Sequence, residues 1–217
     1  MKKKYAVLAA AAVLAGMLIT GCGQKAAASG WEANENSIYV NKGLEVESAL
    51  IYTSEKANDL YTQDGLASFV KEQIAVYNAA QGAAEAAENT EGGEALPVSL
   101  KSCTLEGQTG KLVLDYKTAE DFVKFAQETG DNTHTVTALS VADMAGGLPE
   151  DLKFTTPDGK AADPAEVSKL TDAHVVVVEG AATVYTEGKV AYVSEGVTMK
   201  RENAVQTAEG KNCIVFK

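Results

Sequence analysis

Two histidines, three cysteines and thirty acidic side chains hold most of the reactive chemistry this sequence offers. Neither His134 nor His174 falls in a His-x-Glu, His-x-x-His or His-Glu-x-x-His pattern, and an imidazole metal site needs two or three ligands at workable spacing. Both read as capping or strand-edge groups. A serine nucleophile needs an exposed elbow such as Gly-x-Ser-x-Gly, or an adjacent base. Ser194-Glu195-Gly196 lacks the first glycine, and neither Ser99 with Lys101 nor Ser168 with Lys169 has Ser-x-x-Lys spacing. The segment Gly107-Gln108-Thr109-Gly110-Lys111 ends in the Gly-Lys of a phosphate loop. Its glycines are too close, however, and Leu112 stands where Ser or Thr would meet magnesium. Asp59, Asp64, the acids from Glu85 to Glu94, Asp115, Glu120, Asp121, Glu150 and Asp151 supply hard oxygens suited to calcium. None forms an Asp-x-Asp-x-Asp-Gly loop, and they read as a solvated surface. Asp158-Gly159 reads as a turn. No catalytic residue, metal site or cofactor is assigned.

The start of the chain carries chemistry of another kind. Met1-Lys2-Lys3-Lys4 precedes an apolar run from Ala6 to Thr20, which leads into Ile19-Thr20-Gly21-Cys22. Lysines that stay on the cytoplasmic side, then a short apolar run, are the pattern of a secretion signal. The run falls short of the roughly 20 residues of a membrane span. An ordinary secretory leader or an uncleaved anchor is the plainer alternative. The cysteine at the exit of the apolar run, behind small Gly21, resembles the lipobox of bacterial lipoproteins. That resemblance implies lipid on the Cys22 sulfur, cleavage between Gly21 and Cys22, and a new N-terminus at Cys22. A diacylglycerol brings two acyl chains. One chain alone holds only reversibly, at about 0.8 kcal/mol per buried methylene.

Charge then limits the partners. Removal of residues 1–21 takes away three lysines and no acid, so the mature charge is (19 − 3) − 30 = −14. Such a body is repelled by nucleic-acid phosphates and anionic headgroups. Nucleic acid is excluded, and the lipid on Cys22 becomes the expected membrane contact. The other cysteines, Cys103 and Cys213, form a candidate disulfide in an oxidising compartment. The favoured reading is two buried small apolar groups.

The elements that would position these groups can be read from hydrophobic period and turn chemistry. Residues 22–36 are small and polar and read as a flexible tether; within it Trp31 is expected to dock on the domain. Ser37 begins a single α+β domain over 37–217. Its first part, 37–130, reads hairpin, helix, hairpin, helix. The hairpin Ile38–Val40 and Val46–Tyr52 turns at Asn41-Lys42-Gly43, with Gly43 able to take positive φ. Thr62 caps a helix from about Gln63 to Ala80, with Leu66, Phe69, Val70, Ile74 and Tyr77 on one stripe. Ser68, Lys71, Glu72 and Asn78 fall on the opposite side. Gln81–Ala95 reads as a frayed end and flexible loop. Val98–Leu105 and Lys111–Tyr116 form a hairpin. Thr118 with Asp121 opens a second helix ending near Glu128, with Gly130 after it. In the second part, 131–217, Val136–Ala142 reads as a strand, Gly146–Asp172 as an extended excursion with a short helix after Asp163, and the remainder as a β-meander. The unbroken valines 175–178 suit a strand covered on both faces. Together these give antiparallel hairpins and a C-terminal meander packed with two main helices.

The succession Ser37-Ile38-Tyr39-Val40-Asn41-Lys42-Gly43, the helix ending Val76-Tyr77-Asn78, the stretch Tyr185–Ser194 and the ending Ile214-Val215-Phe216-Lys217 resemble uncharacterised surface lipoproteins of Gram-positive gut anaerobes. The resemblance implies a location and lends no catalytic residues. The expectation is a non-enzymatic, lipid-anchored module on the extracytoplasmic face of the cell membrane, contacting an unidentified envelope ligand or protein. An envelope hydrolase and a transporter's solute-binding component are the alternatives. Converging polar groups in a deep pocket would favour the first, and two lobes about a hinge the second.

Overall fold

The computed structural model describes residues 31–54, 62–131 and 134–217. The signal peptide over 1–21, with Gly21, and the first part of the tether, with Cys22, lie outside the described residues, as does Asp59.

The fold is α+β and dominated by strands. Strands β1 (Ser37–Val40) and β2 (Val46–Thr53) pair antiparallel. Their turn is organised by Asn41, whose Oδ1 accepts from the Glu45 N–H at 2.9 Å. The left-handed position falls on Leu44 (φ 63°) and not on Gly43. Helix α1 (Gln63–Ala80) begins where Thr62 Oγ1 accepts from the Gly65 N–H at 3.1 Å. It buries Val70, Ile74 and Tyr77, as the stripe predicts, and also Asn78. The hairpin β3 (Val98–Glu106) and β4 (Thr109–Tyr116) leads to α2 (Ala119–Thr129). Thr118 caps α2 at the Asp121 N–H, 3.1 Å away, and left-handed Gly130 closes it. Then come β5 (Ala138–Asp143), β6 (Phe154–Thr155), β7 (Ala161–Ala162), α3 (Pro164–Val167), β8 (His174–Glu179), β9 (Thr183–Thr186), β10 (Val190–Ser194), β11 (Thr198–Arg201), β12 (Ala204–Gln206) and β13 (Lys211–Phe216).

The strands form two sheets. The first has order β11-β12-β9-β1-β2-β4-β3, the second β5-β8-β13-β10-β6-β7. The expected C-terminal meander is therefore corrected: β8, β10 and β13 belong to the second sheet, while β9, β11 and β12 complete the first. β9 pairs parallel with β1, Tyr39 opposite Tyr185. Period-2 alternation cannot reveal this switching, because successive strands each bury one face whichever sheet they join.

The sheets face each other across the main core. Ile38, Val40, Val46, Leu114 and Val184 of the first meet Val176, Val178, Ile214 and Phe216 of the second, with Ile74 of α1 and Phe122 and Phe125 of α2 completing it. On the other face of the second sheet, Val175, Cys213 and Val215 cluster with Met144 after β5, Phe154 of β6 and Val167 of α3. This is why the valines of β8 are apolar throughout. In front of the first sheet a third cluster gathers Tyr39, Ala49, Val113, Tyr185 and Ala204 under Trp31 and Ala33. The layers thus run: N-terminal segment, first sheet, second sheet, and α3 of the excursion, whose β6 and β7 extend the edge of the second sheet.

One loop expectation is also corrected. Ala87 is buried in the stretch read as a loose loop, and its carbonyl accepts from the Leu100 N–H at 2.7 Å. Asn89 Oδ1 accepts from the Leu96 N–H at 2.9 Å. The holding group is Asn78, wholly buried, which donates to the carbonyls of Ala86 (2.7 Å) and Val98 (2.8 Å) and accepts from the Val98 N–H (3.1 Å).

Candidate functional site

The most heavily built surface is the outer face of the first sheet, where residues 31–36 lie as a strap. Trp31 stacks on Tyr39 with ring centroids 4.8 Å apart and planes within 6°. Its indole N–H donates to Ser37 Oγ at 3.2 Å, and Ser37 Oγ–H donates to the Glu35 carbonyl at 2.9 Å. Asn36 Oδ1 accepts from the Ile51 N–H at 2.6 Å. Tyr185 O–H donates to Glu35 Oε1 at 2.7 Å, and Lys200 pairs with Glu35 Oε2. Lys111 Nζ donates to the Glu32 carbonyl at 3.0 Å. The Lys200 hydrogen bond holds the Glu35 carboxyl below its ordinary range, against the opposing effect of burial. The expected tether is therefore shortened at its C-terminal end: 31–36 belong to the folded domain, and Trp31 docks.

Beside the strap, opposed Glu47 and Asp115 of β2 and β4 share Lys101 of β3, at 2.7 and 3.5 Å. Burial raises both carboxyls above the usual carboxylate range, outweighing the lysine. Burial pulls Lys101 down, yet the two acids outweigh it and hold it up.

A second candidate is the cavity at the C-terminal end of α2, about 200 Å³, lined by Phe122, Ala126, Gln127, Asp131 and residues 134–137. The His134 ring tilts against Phe122, centroids 5.8 Å apart, and both ring nitrogens are buried without a hydrogen-bond partner. Burial holds the imidazole below the ordinary histidine range, although Asp131 pulls the other way. The neutral ring is the form suited to that place.

His174 sits elsewhere, on β8 opposite Asp143 of β5. Its Nδ1 lies 2.8 Å from Asp143 Oδ1 and its ring rests on Phe216. This pair follows from strand register, which sequence spacing cannot supply. Ser194 Oγ accepts from the Cys213 N–H at 2.9 Å, a structural bond between β10 and β13. The candidate disulfide is not formed: Cys103 lies on β3 of the first sheet and Cys213 on β13 of the second, each a free thiol. Burial pushes the Cys103 thiol up to about 11 and Cys213 to about 12. Both are therefore protonated, poor nucleophiles at neutral pH.

The acids singled out for calcium disperse. Glu88 pairs with Lys71 (2.7 Å), Glu94 with Lys117 (3.0 Å) and Glu120 with Lys124 (2.7 Å). Among the described residues no three His, Cys, Asp or Glu side chains gather as a metal-binding group. No helix among them is long and apolar enough to cross a membrane. Compared with protein-family models, curated proteins and solved structures, the chain matches none.

Proposed function

We propose that this protein is a lipid-anchored extracytoplasmic lipoprotein whose domain is a non-catalytic binding module of the cell envelope. The observation that carries the reading is the sequence Ile19-Thr20-Gly21-Cys22 at the exit of a short apolar run behind three lysines. The strap supports it, because it ties the domain to the chain only eight residues after Cys22. The non-catalytic part draws on the reactive groups themselves. The two thiols are held protonated, Ser194 serves a backbone amide, and His174 is engaged by an aspartate and a phenylalanine ring.

Intact-mass analysis of protein extracted from membranes tests the anchor. The expected species begins at Cys22 and carries a diacylglyceryl group. Cys22→Ala is expected to leave the leader attached and the sulfur-linked lipid missing. Wild-type protein with a bare Cys22, or with residues 1–21 retained, overturns the reading.

A further inference from the structure

We infer that the outer face of the first sheet, with its strap, is the surface turned toward the lipid bilayer, and that α3 of the excursion is turned away from it. The inference rests on the lipid-anchor reading above and adds an orientation to it.

The first argument is reach. Eight residues separate Cys22 from Trp31, and a chain covers at most 3.3–3.6 Å per residue, so Trp31 stays within about 30 Å of the lipidated sulfur. Trp31 is not a loose point of attachment. It is 8 % exposed, stacked on the middle strand β1, and backed by the bonds of Ser37, Asn36, Glu35 and Glu32. The leash therefore leaves from the outer face of that sheet. Packed layers lie about 10 Å apart, so α3 of the excursion, behind the second sheet and three layers on, stands roughly 30 Å beyond the strap.

The second argument is charge. On the outer face Lys101, Lys111, Lys200 and Arg201 stand against Glu32, Glu35, Glu45, Glu47 and Asp115, four against five. The mature chain as a whole carries −14, so the excess of acid lies elsewhere. The excursion from Gly146 to Asp172 holds six acids and three lysines. An anionic leaflet attracts basic and repels acidic surface within a Debye length of about 8–10 Å. The nearly balanced face meets less repulsion than the acid-rich excursion, and it is the face from which the leash leaves.

Energy transfer to labelled headgroups reads the orientation. The mature lipidated protein, in a Cys103→Ala background, carries a donor dye at Thr198→Cys on β11 or at Ala165→Cys on α3; both positions are exposed. Cys213 is wholly buried and stays unlabelled. The protein is bound to phosphatidylcholine–phosphatidylglycerol vesicles containing a headgroup acceptor. With the layers about 30 Å apart, the Thr198 donor is expected to be quenched about twofold more than the Ala165 donor. A long Gly/Ser insertion after Ala28 is expected to abolish the difference. Equal quenching, or stronger quenching at Ala165, on protein that is lipidated and vesicle-bound overturns the orientation while leaving the anchor intact. Failure of the wild-type protein to carry lipid or to bind vesicles overturns the anchor and the orientation with it.

Discussion

Asn78→Ala is the sharpest test of how the first part of the domain is held. Asn78 is wholly buried and makes three hydrogen bonds, two to Val98 and one to the Ala86 carbonyl. Truncation strands the Val98 N–H, the Val98 carbonyl and the Ala86 carbonyl. A buried polar group left unpaired costs about 1–3 kcal/mol, and water reaching the partly buried Ala86 site relieves some of this, so the expected loss is about 3–5 kcal/mol. That is a large share of the roughly 5–15 kcal/mol available to a domain, and corresponds to a fall in Tm of about 8–15 °C at this size. Urea unfolding followed by the emission of Trp31, the sole tryptophan, measures it. Asn78→Asp keeps an acceptor for the Val98 N–H but sets carboxylate oxygens against two carbonyls. It is expected to be at least as damaging. A loss below about 1 kcal/mol for Asn78→Ala would refute the reasoning, since it would mean that the stranded groups find water and that the 81–97 segment is held by something else.

The strap predicts that Trp31 emits in the blue and resists acrylamide, and that Trp31→Ala loses about 2–4 kcal/mol in urea unfolding read by circular dichroism, the range below a full core truncation because the strap can release. Both thiols are expected to titrate with Ellman's reagent in denaturant without reductant, whereas in the native state Cys213 stays silent and Cys103 reacts slowly. A disulfide-linked mass would contradict this. For His134 the folded-state pKa is lowered, so the stability it contributes is present above the unfolded value of about 6.5 and is lost as pH falls through that value toward the folded one. His134→Gln should flatten the decline of the urea midpoint below about pH 6.5 and leave the slope above it unchanged. Gly180, at φ +118°, would place a Cβ 2.2 Å from the Thr135 carbonyl oxygen. Gly180→Ala is expected to cost more than about 2 kcal/mol, checked by thermal unfolding.

Local chemistry was legible where one residue decides an outcome. Thr62, Thr118 and Gly130 mark helix ends through hydrogen bonds made within a few residues of themselves, and they fall where the sequence puts them. Asn78 shows the limit. It groups with Lys71 and Glu72 as a polar residue, yet at i+4 from Ile74 it borders the buried stripe, and β3 and the segment after α1 close over it. The strap was half legible: a lone tryptophan in a polar stretch implies docking, but the partners of Glu35, Tyr185 and Lys200, lie 150 and 165 residues away. Sheet membership was the least legible, since β9 pairs parallel with β1 across most of the chain. The outer-face site escaped for the same reason. Glu47, Lys101 and Asp115 are ordinary surface charges until register sets them side by side.

The placement of β1 between β2 and β9 has a mechanical consequence. Tension drawn along the leash would first have to peel Trp31 from Tyr39. Only then would it load β1, which is gripped on both flanks and would have to slide against two neighbours at once. Bonds loaded in shear fail together, whereas a strand at a sheet margin unzips one bond at a time. The strap would thus yield first and take up slack, sparing the sheet behind it from a sudden pull.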